Sequence, residues 1–92
     1  MSKTFKSVWE ALEDSARASE SMRARSELMI RIEKVVRSWR IPQTAAARKL
    51  GVSQPRLNDL LKGKIDRFSL DALFDIAART GLRVSIEVRK AA

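Results

Sequence analysis

The chain is short and strongly basic. Its 92 residues suit one domain with a single modest core. It has neither cysteine nor histidine, which excludes disulfides, zinc fingers and catalysis by imidazole or thiolate. The 19 Lys and Arg against 11 Asp and Glu leave a net charge of +8, which favours a polyanionic partner. No secretory signal and no apolar run of roughly 18 residues is apparent, so we expect a soluble, cytoplasmic protein without membrane contact.

The positive charge is unevenly distributed. Residues 1–20 hold three basic and four acidic side chains, and residues 21–92 hold all the others. We therefore divide the chain into an N-terminal extension, 1–20, and a basic domain, 21–92. No catalytic base, metal-ligand set or Gly-rich phosphate loop accompanies the N-terminal carboxylates, so we expect neither an enzyme nor a cofactor.

Two helices are predicted before residue 41. Ser7 and Glu10 have the spacing of a capping box for a short amphipathic helix, and Asp14-Ser15 offers a second cap. From about residue 16 to Arg40 no Gly or Pro interrupts. The apolar residues of this run recur at three- and four-residue steps: Met22, Leu28, Met29, Ile32, Val35, Val36 and Trp39. On the other faces we expect Arg25, Arg31, Lys34 and Arg37.

Three short helices follow Pro42, which ends the long one. The first is predicted from Gln43 to Leu50, with Gly51 as its left-handed stop. The second is capped by Ser53 and runs to about Lys62, before Gly63. The third is capped by Ser69 and ends at Gly81, with an inward face of Leu70, Leu73, Phe74, Ile76 and Ala77.

The last segment changes its period. Apolar and polar residues alternate over 82–89, which predicts a half-buried strand with Leu82, Val84, Ile86 and Val88 on one face. A lone strand needs a neighbour for its backbone. We prefer a second copy, paired antiparallel about Ser85, because Arg83 then lies opposite Glu87. The alternative neighbour is the chain's own Thr4-Phe5 segment. The expected fold is mainly α with this C-terminal strand, paired across a dimer.

The two helices flanking Gly51 resemble a helix-turn-helix. Small and apolar residues fill the positions where such helices touch: Ala46, Ala47, Leu50, Gly51, Val52, Leu57 and Leu60. With the helices on either side, residues 28–81 resemble the lambda-repressor-like, XRE-type DNA-binding domain of four to five helices. A strand replaces that family's fifth helix. This departure, with RSELMIRIEKVVRSW and KGKIDRFSLDALFDIAARTGLRVSI, makes the chain most similar to small HigA-like antitoxins.

The resemblance implies two sets of DNA-contacting residues. Base edges would be read by Gln54, Pro55, Arg56, Asn58 and Asp59. Phosphates would be held by Gln43, Ser53, Lys62, Lys64, Arg67 and Ser69. Alternatives stay open for some of them: Gln54 and Asn58 as solvated helix residues, Arg56 as a phosphate contact, and Asp59 as a partner of Arg56 rather than of cytosine.

The resemblance also implies a biological role. A HigA-like antitoxin represses its own operon as a homodimer on a palindromic operator and neutralises a RelE-like ribonuclease toxin. The alternative is a stand-alone phage-type XRE regulator. The N-terminal apolar stripe of Phe5, Val8, Trp9, Leu12 and Met22 either docks such a toxin or folds back onto the long helix.

Overall fold

The helices pack around one side of a long first helix. The structure is a computed structural model that describes the backbone of residues 2–90 and the side chains of residues 15–90. Four α-helices follow one another: α1 (Ser2–Ser38), α2 (Gln43–Leu50), α3 (Gln54–Leu61) and α4 (Leu70–Arg79), with a 3-10 helix at Ile65–Arg67 between the last two. No helix in this part of the chain is long and apolar enough to cross a membrane.

Helix α1 is continuous, so the prediction of two helices with a new cap at Asp14-Ser15 is wrong. Ser7 also lies inside the helix instead of capping it. The reason is that a cap residue favours a start without enforcing one, and nothing in this stretch breaks a helix. Side chains of the predicted N-terminal stripe before Met22 lie outside the described residues, and Met22 itself is 50% exposed.

The C-terminal half of α1 supplies one wall of the core. The buried side chains come from all four helices and from one loop: Met29, Ile32, Val36, Ala46, Ala47, Leu50, Leu57, Leu60, Phe68, Leu73, Ile76 and Ala77. Each large one stabilises the fold by about 1.5–3 kcal/mol. Val35, Leu70 and Phe74 were predicted inward and are only half-buried. Phe68, just after the 3-10 helix, was not predicted and is 2% exposed.

The connection from α1 to α2 contains a strained residue. Arg40 has φ 52°, a left-handed conformation that costs a non-glycine residue roughly 1–2 kcal/mol. It continues the turn after α1, where its N–H donates to Arg37 O at 3.3 Å. Pro42 then occupies the N-cap of α2 in an extended conformation, as expected of a residue that cannot extend the preceding helix. The Lys49 Nζ lies 4.1 Å from the centroid of the Trp39 ring and covers this corner.

The predicted strand over 82–89 does not form within the chain. Residues 82–90 have no regular secondary structure, although Leu82 is packed against the core and its N–H donates to Ala77 O at 3.2 Å. Beyond it, Ile86 and Val88 are 74% and 89% exposed. The intrachain alternative is wrong because Thr4 and Phe5 belong to α1. A segment with a strand pattern and no backbone partner stays irregular.

Candidate nucleic-acid interface

The turn between α2 and α3 is fixed by its backbone. Gly51 adopts φ 70° and donates to Arg48 O at 3.1 Å, and Val52 N donates to Ala47 O at 3.0 Å. These bonds satisfy the last carbonyls of α2, as predicted from the glycine. Ala46 and Ala47 are buried where the two helices meet, so no larger side chain separates them. The angle between α2 and α3 is therefore set locally.

Arg79 on α4 also holds this turn. Its Nη1 donates to Leu50 O at 3.0 Å, and its Nη2 lies 3.5 Å from Asp75 Oδ2. A Cβ atom at Gly51 would overlap this guanidinium. Gly51 is favoured first by its left-handed φ, and a larger residue there would also displace the end of the flexible Arg79 side chain. Sequence reasoning found only the first of these effects.

The first turn of α3 follows the predicted capping. The Ser53 Oγ accepts a hydrogen bond from Arg56 N at 3.3 Å. Pro55 lies in the first turn, where its missing N–H removes no intrahelical bond. Gln54 and Pro55 are exposed, and Asn58 one turn later is half-buried. The helix thus begins rigidly and presents its leading side chains outward.

Four of the predicted site residues share one shallow surface depression. It is lined by Gln43, Gln54, Pro55 and Asn58, so the first turns of α2 and α3 open on the same side of the molecule. Pro42, the N-cap of α2, has no side-chain acceptor for the first amides of that helix. Those amides and the helix dipole favour an anion next to Gln43. The depression therefore combines amide and carboxamide groups with an electropositive helix start.

Arg56 and Asp59 were predicted to face the same groove, but they contact the segment after α3. The Arg56 guanidinium lies 4.4 Å from the centroid of the Phe68 ring, and its Nη1 donates to Arg67 O at 3.3 Å. The Asp59 carboxylate pairs with Lys64 at 3.3 Å and with Arg67 at 3.6 Å. The alternative that Asp59 pairs with Arg56 is wrong, because both carboxylate oxygens already face those two cations.

The predicted phosphate-binding residues fall into two groups. Lys62, Lys64 and Arg67 are exposed and follow α3 closely. Ser53 and Ser69 are caps, and the Ser69 Oγ accepts from Ala72 N at 3.1 Å. Their hydroxyl oxygens are engaged, so any contact with an anion uses the hydroxyl proton or the neighbouring amides.

One arginine that supports the segment after α3 was predicted on the wrong face. Arg25 was expected away from the core, yet its Nη1 donates to Ile65 O at 3.3 Å and to Phe68 O at 3.4 Å. The signal was present, because Arg25 lies four residues before the buried Met29 and therefore on its face of α1. Arg25 and Arg56 hold the 3-10 segment from two helices, which fixes the cations it carries.

The fold and this site define a helix-turn-helix protein in which the second helix of the unit presents its first turn to solvent. Comparison with known families supports the same class: the helix-turn-helix domain profile matches residues 11–89, and the chain belongs to that family. A solved structure described as an XRE-family transcriptional regulator is 28% identical in sequence, with a TM-score of 0.73. The match covers 80% of this chain and 83% of the chain in that structure. No curated protein matches.

Proposed function

We propose that this chain is a sequence-specific DNA-binding transcriptional repressor that reads its operator with α3. The observation that supports this most directly is the shared depression of Gln43, Gln54, Pro55 and Asn58. Helix-turn-helix repressors place the start of the second helix in the major groove and the start of the first against the backbone. Both starts open here on one side, and the exposed cations Lys62, Lys64 and Arg67 follow α3.

The chemistry assigns different tasks to the side chains. Gln54 suits a bidentate contact to adenine, and Asn58, four residues later on the same face, reaches the neighbouring base pair. Pro55 offers an apolar ring to a thymine methyl. Gln43 holds a phosphate against the start of α2. The predicted reader Arg56 is better suited to support the 3-10 segment or a phosphate, because its guanidinium is stacked on Phe68.

The test begins with the DNA sequence selected from a random duplex library by the full chain. Gln54→Ala should lower the preference for this site over an unrelated duplex about 10-fold or more, since a bidentate base contact contributes about 1–3 kcal/mol of discrimination. Lys64→Ala should weaken both duplexes and lower the salt slope by about one unit. Lys34→Ala on α1, also exposed, is the control for lost charge. An unchanged preference in Gln54→Ala refutes the proposed reading face.

The proposal includes a homodimer on a palindromic operator. One helix-turn-helix unit makes too few contacts for tight specific binding, so family repressors use two, roughly 34 Å apart. The exposed Val84, Ile86 and Val88 support an antiparallel ribbon between two copies of residues 82–89. Centred on Ser85, it pairs Arg83 with Glu87 twice.

Sedimentation of the full chain tests the ribbon. Ile86→Asp should shift the wild-type dimer to monomer, because two aspartates would face the core side of the ribbon. Met22→Asp, at a half-exposed apolar residue outside the tail, should leave the dimer intact. A dimer that survives Ile86→Asp removes the ribbon from the proposal while leaving the reading helix in place.

The finer proposal is that this repressor is the antitoxin of a type II module with a RelE-like toxin. It rests on the similarity of residues 25–39 and 62–86 to HigA-like antitoxins, and the exposed side chains of residues 15–20 of α1 leave room for a partner. Affinity purification after expression of the native operon should recover a small basic toxin with the chain. Recovery of the chain alone, with no toxin gene beside its own, supports the stand-alone phage-type regulator instead.

A further inference from the structure

An ion triad that the DNA-reading role does not by itself require joins Asp59 of α3 to two cations of the following segment. The Asp59 Oδ1 lies 3.3 Å from Lys64 Nζ, and its Oδ2 lies 3.6 Å from Arg67 Nη1. The Asp59 side chain is 21% exposed, whereas those of Lys64 and Arg67 are 44% and 62% exposed. The carboxylate thus lies beneath two cations whose outer surfaces face solvent.

The backbone makes this arrangement stiff. Lys64 N donates to Asp59 O at 3.1 Å, and Arg67 N donates to Lys64 O at 3.1 Å. Arg56 adds a hydrogen bond to Arg67 O at 3.3 Å. These hydrogen bonds hold the backbone of both cations close to Asp59. A movement of the whole loop away from the carboxylate would break them.

We infer that Asp59 competes with DNA phosphates for Lys64 and Arg67, and so weakens the sequence-independent part of DNA binding. This inference rests on the proposed DNA-binding function. A phosphate that approaches either cation meets the field of the carboxylate a few ångströms behind it, so part of the attraction is cancelled. The cancellation acts on every DNA sequence alike, because backbone phosphates carry no sequence information.

The consequence for recognition is a higher relative weight of base contacts. Gln54 and Asn58 lie on the groove side of α3 and are unaffected by the triad, whereas the phosphate grip is reduced. A moderated phosphate term weakens binding to any duplex and so lets the chain leave non-specific sites faster, while the ratio of operator to non-specific affinity stays set by the base contacts. Asp59 then acts without touching a base, in contrast to its predicted role as an acceptor from cytosine.

The experiment measures binding of the full chain to its selected duplex and to an unrelated duplex over a range of salt. Asp59→Asn keeps the shape of the side chain and should raise affinity for both duplexes by about three- to tenfold at low salt. The slope of affinity against salt should steepen by about one unit, as the triad then presents one more positive charge. A weaker affinity for the selected duplex alone, or no change on either, overturns the inference.

Two controls separate the triad from net charge and from folding. Glu33→Gln frees Arg37 from a 3.0 Å pair on α1 and changes the net charge by the same amount as Asp59→Asn. Because it leaves the triad intact, it should raise the affinity for DNA by less than half as much. Adding Lys64→Ala and Arg67→Ala should abolish the gain from Asp59→Asn, because the effect passes through those cations. A gain that persists in that background overturns the inference.

A heparin column distinguishes failure of this inference from failure of the proposed function. Asp59→Asn should elute at higher salt than both wild type and Glu33→Gln, whether or not a DNA site exists. If every folded variant ignores duplex DNA while this order on heparin holds, the DNA-binding proposal fails and takes the role of Asp59 toward DNA with it, and only the screening of Lys64 and Arg67 by Asp59 stands. If the chain binds DNA and the order on heparin does not hold, the triad fails and the reading helix stands.

Discussion

The helix-turn-helix and the C-terminal residues 82–90 differ in how many interactions fix the conformation of each residue. Between Gln43 and Leu61, buried alanines and leucines, a left-handed glycine and a serine cap act on the same few turns. In residues 82–90, by contrast, Ile86 and Val88 are largely exposed. The comparison shows that a sequence pattern predicts structure well where its partner surface lies in the same chain.

The largest effect should follow from opening the core at the centre of α3. Leu57 is 0% exposed, and Leu57→Ala should lower the free energy of unfolding by about 2–5 kcal/mol, since it loses burial and leaves a cavity. Urea unfolding followed by circular dichroism measures this. Ile86→Ala in the tail is the control and should change the value by less than about 0.5 kcal/mol at concentrations where the chain is monomeric. Equal losses would remove the contrast between the two regions.

The turn itself should be the next most sensitive. Gly51→Ala should cost about 1–2 kcal/mol because of its left-handed φ, and Arg79 must also move. Arg40→Gly is the converse substitution, because it replaces a non-glycine residue at φ 52° with glycine and so removes backbone strain. It should raise the free energy of unfolding by up to about 1 kcal/mol. Thermal unfolding of both variants measures the signs. A stabilising Gly51→Ala would contradict the geometry of the turn.

The cap of α3 should contribute less. Ser53→Ala removes the acceptor for Arg56 N and should cost about 1 kcal/mol. Ser53→Asp keeps an acceptor and should retain stability, though its charge should weaken DNA binding by repelling phosphates. Chemical unfolding and duplex binding of the two variants separate the structural effect from the electrostatic one. Equal stability of wild type and Ser53→Ala would show that the cap is not needed.

The smallest effect should be at the end of the tail. Val88 is 89% exposed, so Val88→Ser should change the unfolding free energy of the single chain by less than about 0.5 kcal/mol. The same substitution should weaken a dimer that is held by the ribbon. Unfolding at two protein concentrations resolves the two effects. A large loss at the lower concentration would place Val88 in contacts within the chain.

The helices after Pro42 and their caps were predictable because each depends on neighbours in sequence, whereas the caps expected at Ser7 and Asp14-Ser15 lie inside α1. Gly51, Ser53 and Ser69 adopt their predicted roles, and α2 has its predicted bounds. The core role of Phe68 was not predictable from periodicity, because it lies in a connection with no repeating pattern. The strand was wrong for the single chain because alternation indicates a surface that can pair, without supplying the partner.

The grouping of four candidate residues on one surface was predictable, whereas their ionic neighbours were not, and the DNA contacts assigned to these residues stay a prediction. Gln43, Gln54, Pro55 and Asn58 line one depression, as the helix-turn-helix pattern implied. The partners of Asp59 and Arg56 depend on how the loop after α3 folds back, and local spacing favoured pairing them with each other. Long side chains select partners in three dimensions, so such contacts require the structure.

The shortness of α3 has a consequence for how much information one chain can read. Its eight residues extend about 12 Å, which is close to the width of the major groove, and in the proposed role its first turn and a half would reach base edges. Roughly four base pairs would come within reach of α3 in one chain. A given sequence of four base pairs recurs by chance about every 256 positions of a genome. Two such sequences at a fixed spacing recur only about once in 65,000 positions. In the proposed role, the operator is therefore specified mainly by the fixed spacing of two short recognition sequences. The dimer sets this spacing through the distance between its two α3 helices.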